Sequence, residues 1–342
     1  KRPGRADVRY HRLGTDASSD RVVHEETGDP RTFLGVDMSW NGKWLIATVA
    51  HGWSRTDVFY RKREATSADW KPLVVGNDAT YDVRAWGGHF YIRTDEGSSN
   101  YRLFRVPVSS PERSNWKEII PEKKDAVLDG FSVVGGRLAV KYLVDARSRL
   151  AIYRPDGRRV RRVKLPGTGY ASGISGTPDR KKGYFSYQSF ETPEKIMRVS
   201  VEQPGTDVWK GTEVPVDPTN FRVKQVWYES KDGTEVSMYL VLPKGAADEG
   251  PIPFLMYGYG GFKVSLQPYF VEGVIPWLRA GGGYAMPNLR GGGEYGEKWH
   301  RAGMLKKKQN TFDDFIAAGE YLTENGYTRS DELTIWGASN GG

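Results

Sequence analysis

"LTIWGASNGG", residues 333–342, is a short apolar run that passes straight into Gly337-Ala338-Ser339-Asn340-Gly341. The pentapeptide fits G-x-S-x-G, a pattern whose physical content is a sharp corner between a strand and a helix. Such a corner strains the serine backbone, so its flanking residues must be glycine or similarly small. It lifts the hydroxyl above the end of the sheet. It also aims the next backbone NH, that of Asn340, at the oxygen that becomes negative when a hydroxyl adds to a carbonyl. Ser339 is therefore the candidate nucleophile, and a tight glycine-rich turn after an edge strand is the plainer alternative. What precedes the motif separates the two.

Working back, residues 311–325 read as a helix with Thr311 and Asp314 as a capping pair, apolar Phe312, Phe315, Ile316 and Leu322, and Gly326 at its end. "GYAMPNL" (283–289) reads as a strand and residues 271–280 as a helix. "PIPFLMYGYGGF" (251–262) is a buried strand running into a glycine-rich loop. Residues 221–245 read as two antiparallel strands joined at Lys231-Asp232-Gly233. Strands alternating with helices predict a parallel sheet covered on both faces. In such a sheet the glycine-rich loop is where a second oxyanion donor belongs. Gly258, Gly260 and Gly261 let the backbone pass close to a substrate, and Tyr259 offers a phenolic hydroxyl, whereas Tyr257 is expected to pack on the sheet.

The first two-thirds of the chain has another grammar. Gly42, Gly88, Gly136 and Gly183, spaced 46, 48 and 47 residues apart, each open a pair of alternating strands, as in "GGHFYIRTD" (87–95) with "YRLFRVPV" (101–108). Period-2 apolar alternation at this repeat length predicts the four-stranded blades of a β-propeller, not a helical solenoid. Four blades fit between Thr32 and Val201, and an extra strand pair (8–14 and 20–26) looks like the end of an earlier blade. The predicted organisation is a partial β-propeller over residues 1–217 and an α/β domain over 218–342.

The absence of cysteine excludes disulfides, thiolate metal sites and a cysteine nucleophile. Neither a metal nor a cofactor is expected. No run reaches the roughly 18 apolar residues of a membrane helix, so a soluble protein without a membrane partner is expected. The first residues hold neither a start methionine nor an apolar signal core, which leaves the compartment open between cytoplasmic and periplasmic or secreted. The net charge of +8 raises a nucleic-acid reading, helped by "DGRRVRRVKL" (156–165) and "MLKKKQN" (304–310). The arginines of the first stretch flank Val160 and Val163 as on a solvated edge strand, and no nucleic-acid partner is expected.

"MYGYGGF", "NLRGGGEYGEKWHRAGMLKKKQNTFDDF" and "LTIWGASNGG", in this order, resemble the prolyl oligopeptidase family of serine peptidases. The resemblance implies an α/β-hydrolase domain capped by a seven-bladed propeller, and hydrolysis of short proline-containing peptides on the carboxyl side of proline by what is expected to be a monomer. Carried over residue by residue, it makes Ser339 the nucleophile, and Tyr259 with the backbone NH of Asn340 the oxyanion hole. It also makes Phe262 and the Asn340 side chain walls of the proline pocket. Leu34 and Trp53 align with propeller residues that line outer subsites, against the plainer reading of ordinary propeller core. A rigid, apolar pyrrolidine already restricted in φ enters an aromatic slot with little ordering cost.

In this chain order the activating acid and histidine follow the serine, and only Asn340, Gly341 and Gly342 do so here. His11, His24, His51, His89 and His300 all lie upstream; His300 matches a position that is not catalytic in the family, and Asp313 and Asp314 read as first-turn helix residues. The triad Asp and His are therefore expected after Gly342, and the chain by itself is expected to be inactive, as a central piece of a longer enzyme. Two rivals remain: oligopeptidase B-like cleavage after Arg or Lys, and a propeller that binds peptides beside an inactive hydrolase half. Phe262 and Asn340 favour proline.

Overall fold

The computed structural model describes residues 4–65, 70–214, 221–245 and 250–342. Two compact units result, one of residues 1–122 with 155–158 and one of residues 123–154 with 159–342.

In the first unit a two-stranded ribbon, β1 (Val8–Tyr10) and β2 (Arg21–His24), precedes two four-stranded sheets. One is β3 (Thr32–Met38), β4 (Trp44–His51), β5 (Arg55–Lys62) and β6 (Lys71–Val74); the other is β7 (Tyr81–Trp86), β8 (His89–Thr94), β9 (Arg102–Pro107) and β10 (Lys117–Ile120). Each is an antiparallel meander in chain order. Ile46, Val58 and Tyr60 of one sheet meet Val83, Phe90 and Ile92 of the other, with the Tyr60 and Phe90 rings edge to face at 5.1 Å.

The second unit opens with two more such sheets: β11 (Val127–Val134), β12 (Arg137–Val144), β13 (Arg147–Tyr153), β14 (Arg159–Val163), then β15 (Tyr170–Ala171), β16 (Lys182–Ser189), β17 (Thr192–Ser200), β18 (Thr206–Gly211). Strand β12 is buried on both faces, whereas period 2 governs burial in β16. In β16, Gly183, Phe185, Tyr187 and Ser189 are buried while the residues between them are not. The strand pairs read from the repeats are the central hairpins of the four sheets. Two of the outer strands carry little apolar signal: β6 contains Pro72, and β18 is exposed along most of its length. β14 is the arginine-rich edge strand that its Arg-Val pattern announced.

The α/β part starts with β19 (Phe221–Glu229) and β20 (Glu235–Pro243), paired in unbroken antiparallel register across the turn at Gly233. The domain boundary at 217/218 lies outside the described residues. β21 (Phe254–Tyr257), α1 (Ile275–Arg279), β22 (Gly283–Pro287), α2 (Glu297–Arg301), α3 (Gln309–Glu324) and β23 (Leu333–Trp336) follow. The strand order is β19-β20-β22-β21-β23. The sheet is mixed, not parallel throughout: β21 runs parallel to β22 and β23, and β20 joins β22 antiparallel because the hairpin, not a helical crossover, delivers it. β23 is an edge, with Ile335 and Trp336 exposed.

Beyond the glycine-rich loop, residues 266–270 fasten this sheet to the blades of the same unit. Ser148 donates to Gln267 at 2.7 Å, the Phe270 NH donates to Gln188 at 3.0 Å, and the Tyr170 and Tyr269 rings lie 5.0 Å apart.

Helix α3 corrects the capping pair. It begins at Gln309, so Thr311 lies inside the helix and Asp313 and Asp314 in its second turn. The Thr311 hydroxyl donates to the carbonyl of Arg290 at 2.8 Å, and Asp314, fully buried, receives the Arg290 guanidinium and backbone NH. A buried guanidinium outbids a helix end for both residues, because an unpaired buried charge costs several kcal/mol and a cap contributes about one. Asp232 completes the arrangement at 2.6 Å, and the Arg290 hydrogen bonds hold its carboxyl well below the usual range. Asp314→Asn is expected to lower stability by about 3–5 kcal/mol in denaturant unfolding, the cost of breaking a buried pair.

Candidate active site

Ser339 follows β23 at φ +54°, the left-handed conformation a non-glycine residue adopts only under constraint. The corner closes as a single 3-10 turn, Ser339–Gly341, with the Gly341 NH on the Ala338 carbonyl at 2.9 Å. A Cβ on Gly337 would overlap the Gly341 carbonyl, and one on Gly341 would overlap the carbonyl of Gly258. These two glycines are what let the corner fold on itself and press against the Tyr259 loop. The Ser339 residue is exposed, at the open end of the sheet.

Tyr259 sits half-buried against the core formed by Phe221, Tyr239, Tyr284 and Met286. Tyr257 lies tilted against Trp336 with ring centroids 5.0 Å apart, and burial raises its phenol above the ordinary range. The loop then doubles back through two successive non-glycine residues at positive φ, Phe262 (+52°) and Lys263 (+59°). That turn leaves Phe262 43% exposed, a ring presented to solvent from a strained position.

The Asn340 amide faces the same loop. Its nitrogen donates to the Tyr259 carbonyl at 2.5 Å, and its oxygen accepts from the Lys308 ammonium at 3.3 Å. Each polar atom of this side chain thus makes one hydrogen bond to its surroundings. Ser339, Tyr259, Asn340 and Phe262 are brought together by two loops of one sheet. Leu34 and Trp53 belong to the other unit. There Leu34 lies half-buried opposite Val49 on β4, and Trp53, 49% exposed, meets Phe33 edge to face at 6.0 Å.

Each histidine is engaged elsewhere: His11 with Asp20, His24 with the Glu25 carbonyl, His51 with Asp57, His89 with the Gly87 carbonyl, and His300 with Glu297. His300 lies within α2, in the chain between strands β22 and β23, and its ring is buried. Among the described residues no group of three or more His, Cys, Asp or Glu side chains could hold a metal ion, and no helix is long and apolar enough to cross a membrane.

Residues that sequence reasoning missed lie beneath the loop. The Glu294 carboxylate is fully buried and accepts from the Leu266 NH at 2.7 Å, while Asn288 donates to the Leu266 carbonyl at 2.7 Å. Leu266 is thereby held at both backbone groups by the segment that follows β22. In "RGGGEYG" a Cβ on Gly291 would press into the Gly260 carbonyl, so this stretch serves close packing. Only Lys308 among these residues carried a signal, as the third lysine of a run. Nothing in that run distinguishes a lysine turned inward.

Comparison with known proteins bears on this geometry. The profile for the prolyl oligopeptidase N-terminal beta-propeller domain matches residues 1–212, and that for the prolyl oligopeptidase family matches residues 268–342. The chain is similar to a prolyl endopeptidase of Elizabethkingia meningoseptica, 36% identical over 98% of this chain and 47% of that protein. It is likewise similar to prolyl oligopeptidase A of Galerina marginata, at 33% identity over 98% and 47% of the respective lengths. A solved structure from work on two prolyl endopeptidases superimposes with a TM-score of 0.96 at 47% identity, over 99% of this chain and 50% of that one. Prolyl oligopeptidase B from Galerina marginata, bound to a 35mer hydrolysis and macrocyclization substrate, gives 0.91 at 31%, over 98% and 48%. The chain spans about half the length of the curated relatives it matches.

Glu294 gives the site a measurable signature. Burial pushes its carboxyl up to about 7, so the folded protein keeps a proton that the unfolded chain releases near 4.5. Stability contributed by this group is full below the unfolded value and falls as pH rises toward about 7. Glu294→Gln lacks that titration. Its stability relative to the parent is expected to rise by on the order of 2 kcal/mol between pH 5 and pH 8, read from denaturant unfolding at both values.

Proposed function

Because the chain belongs to the prolyl oligopeptidase family of serine peptidases, we propose that the full-length protein hydrolyses short peptides on the carboxyl side of proline. The hydroxyl of Ser339 adds to the carbonyl carbon of the proline residue, its proton passes by way of the triad histidine to the departing amine as the C–N bond breaks, and water then hydrolyses the acyl-enzyme to release the proline carboxylate and restore the hydroxyl. Tyr259 and the Asn340 backbone NH hold the oxyanion, and Phe262 receives the pyrrolidine ring. The acid and the histidine of the triad are supplied by residues after Gly342. Residues 1–217 form the propeller domain and 218–342 the hydrolase portion, with Leu34 and Trp53 at outer subsites.

The observation that carries this reading is the φ of +54° at Ser339. A plain turn has no need for serine in that conformation when glycine adopts it without cost. Strain held at an exposed hydroxyl, facing a loop with a phenol and an aromatic ring, fits a preorganised acyl-transfer site. The relatives' names support the proline preference, as does the exposed ring of Phe262.

A fluorophosphonate probe is expected to label Ser339 of the full-length protein, and Ser339→Ala to abolish both labelling and turnover. No labelling of the parent would leave a peptide-binding propeller beside an inactive hydrolase half. On a peptide panel, cleavage after proline is expected to dominate, and faster cleavage after arginine or lysine would sink the proline assignment. Phe262→Ala is expected to lower kcat/KM for proline substrates by about 10- to 100-fold, as loss of an apolar contact of about 1–3 kcal/mol implies.

A further inference from the structure

Three lysines follow one another before α3, and they differ in one respect. Lys306 and Lys307 are exposed, and Lys308 turns inward. Its ammonium donates to the Gly260 carbonyl at 2.6 Å and to the Asn340 side-chain oxygen at 3.3 Å. The Asn340 nitrogen in turn donates to the Tyr259 carbonyl at 2.5 Å, which closes a ring of contacts through the Tyr259–Gly260 peptide. An amide between a carbonyl and an ammonium has only one sensible orientation, nitrogen to the first and oxygen to the second.

The position is a poor one for a cation on helix grounds. Lys308 is the N-cap residue of α3, where the helix dipole disfavours positive charge, and its side chain makes no capping bond. Burial also pulls its pKa down, another sign that the charged form is held there at a cost. What offsets both is the pair of acceptors, one from the loop of Tyr259 and one from the residue after Ser339.

We propose that Lys308 is a positioning residue for the oxyanion hole, clamping the Gly260 carbonyl to the Asn340 side chain so that the Tyr259 hydroxyl and the Asn340 backbone NH converge on one point. The clamp rests on the peptidase reading for its effect on rate, though not for its effect on the loop. With the ammonium gone, Gly260 and Asn340 each lose a charge-assisted bond, and the two halves of the hole become free to drift apart. Displacements well under an ångström suffice to weaken such a site.

The test uses the full-length protein with Lys308→Met and Lys308→Arg. Turnover of a chromogenic Gly-Pro amide, labelling by a fluorophosphonate, and hydrogen exchange at the 259–261 amides are measured in parallel. Lys308→Met is expected to keep KM within about twofold and to lower kcat by roughly tenfold or more, below the 10²–10³ that deleting an oxyanion donor outright costs. Labelling slows to match, the loop amides exchange faster, and Lys308→Arg, which keeps charge and donors, recovers most of the rate and the protection. An unchanged kcat in Lys308→Met overturns the proposal, as does a loss that Lys308→Arg fails to recover. A parent protein that neither cleaves nor labels overturns the peptidase reading instead. The clamp is then judged by exchange alone, sustained if Lys308→Met speeds it and overturned if not. Should Lys308→Met fail to fold by circular dichroism, Lys308→Gln is judged by the same outcomes.

Discussion

One buried guanidinium organises everything around the serine. The side chain of Arg290 is 5% exposed, and its donors go to Asp314 on α3 and to Asp232 and Ser230 at the turn between β19 and β20. Its backbone NH and carbonyl are taken as well, by Asp314 and Thr311. A charge removed from water must find every partner it can, so the hairpin turn, the start of α3 and the glycine-rich segment after β22 have little choice in how they meet. Helix α3 in this pose brings Lys308 to the Tyr259 loop. The glycine segment in this pose lays Gly291 under Gly260 and Glu294 under Leu266.

Three of the seven non-glycine residues at positive φ among the described residues lie where this support meets the serine corner. Of the non-glycine residues at positive φ, Phe262, Lys263 and Ser339 belong to the two facing loops, while Asp145 and Ala146 make the tight turn between β12 and β13. Strained conformations persist only when surroundings over-determine them. Here the surroundings are the corner glycines, the Asn340 amide and the layer beneath Leu266.

Much of this was legible in the sequence, and what was not had a common cause. The central hairpins of the blades, the β19–β20 pair and the corner at Ser339 announce themselves because alternation and turn chemistry are local. A strand such as β18 was silent, since it has no buried face to write a pattern on. Thr311 and Asp314 spelled a helix cap and became partners of Arg290, a choice made by a residue some twenty positions away. The burial of Glu294 and the inward turn of Lys308 went unread, because burial of an ionisable group is decided by tertiary neighbours and leaves no periodic trace. The composition of residues 258–262 announced a loop able to approach a substrate; it held no information about what would steady that loop.

The stretch that carries Tyr259 does not end at the sheet. A few residues on, Gln267 bonds to Ser148 of β13, Phe270 bonds to Gln188 of β16, and Tyr269 rests on Tyr170 of β15. One length of backbone is thus fastened to the Ser339 corner at one end and to two blades at the other. Those blades cannot swing away from the sheet without either snapping these moorings or tugging on the phenol's own strand of chain. A shift of either blade is thus felt along the backbone that leads back to Tyr259.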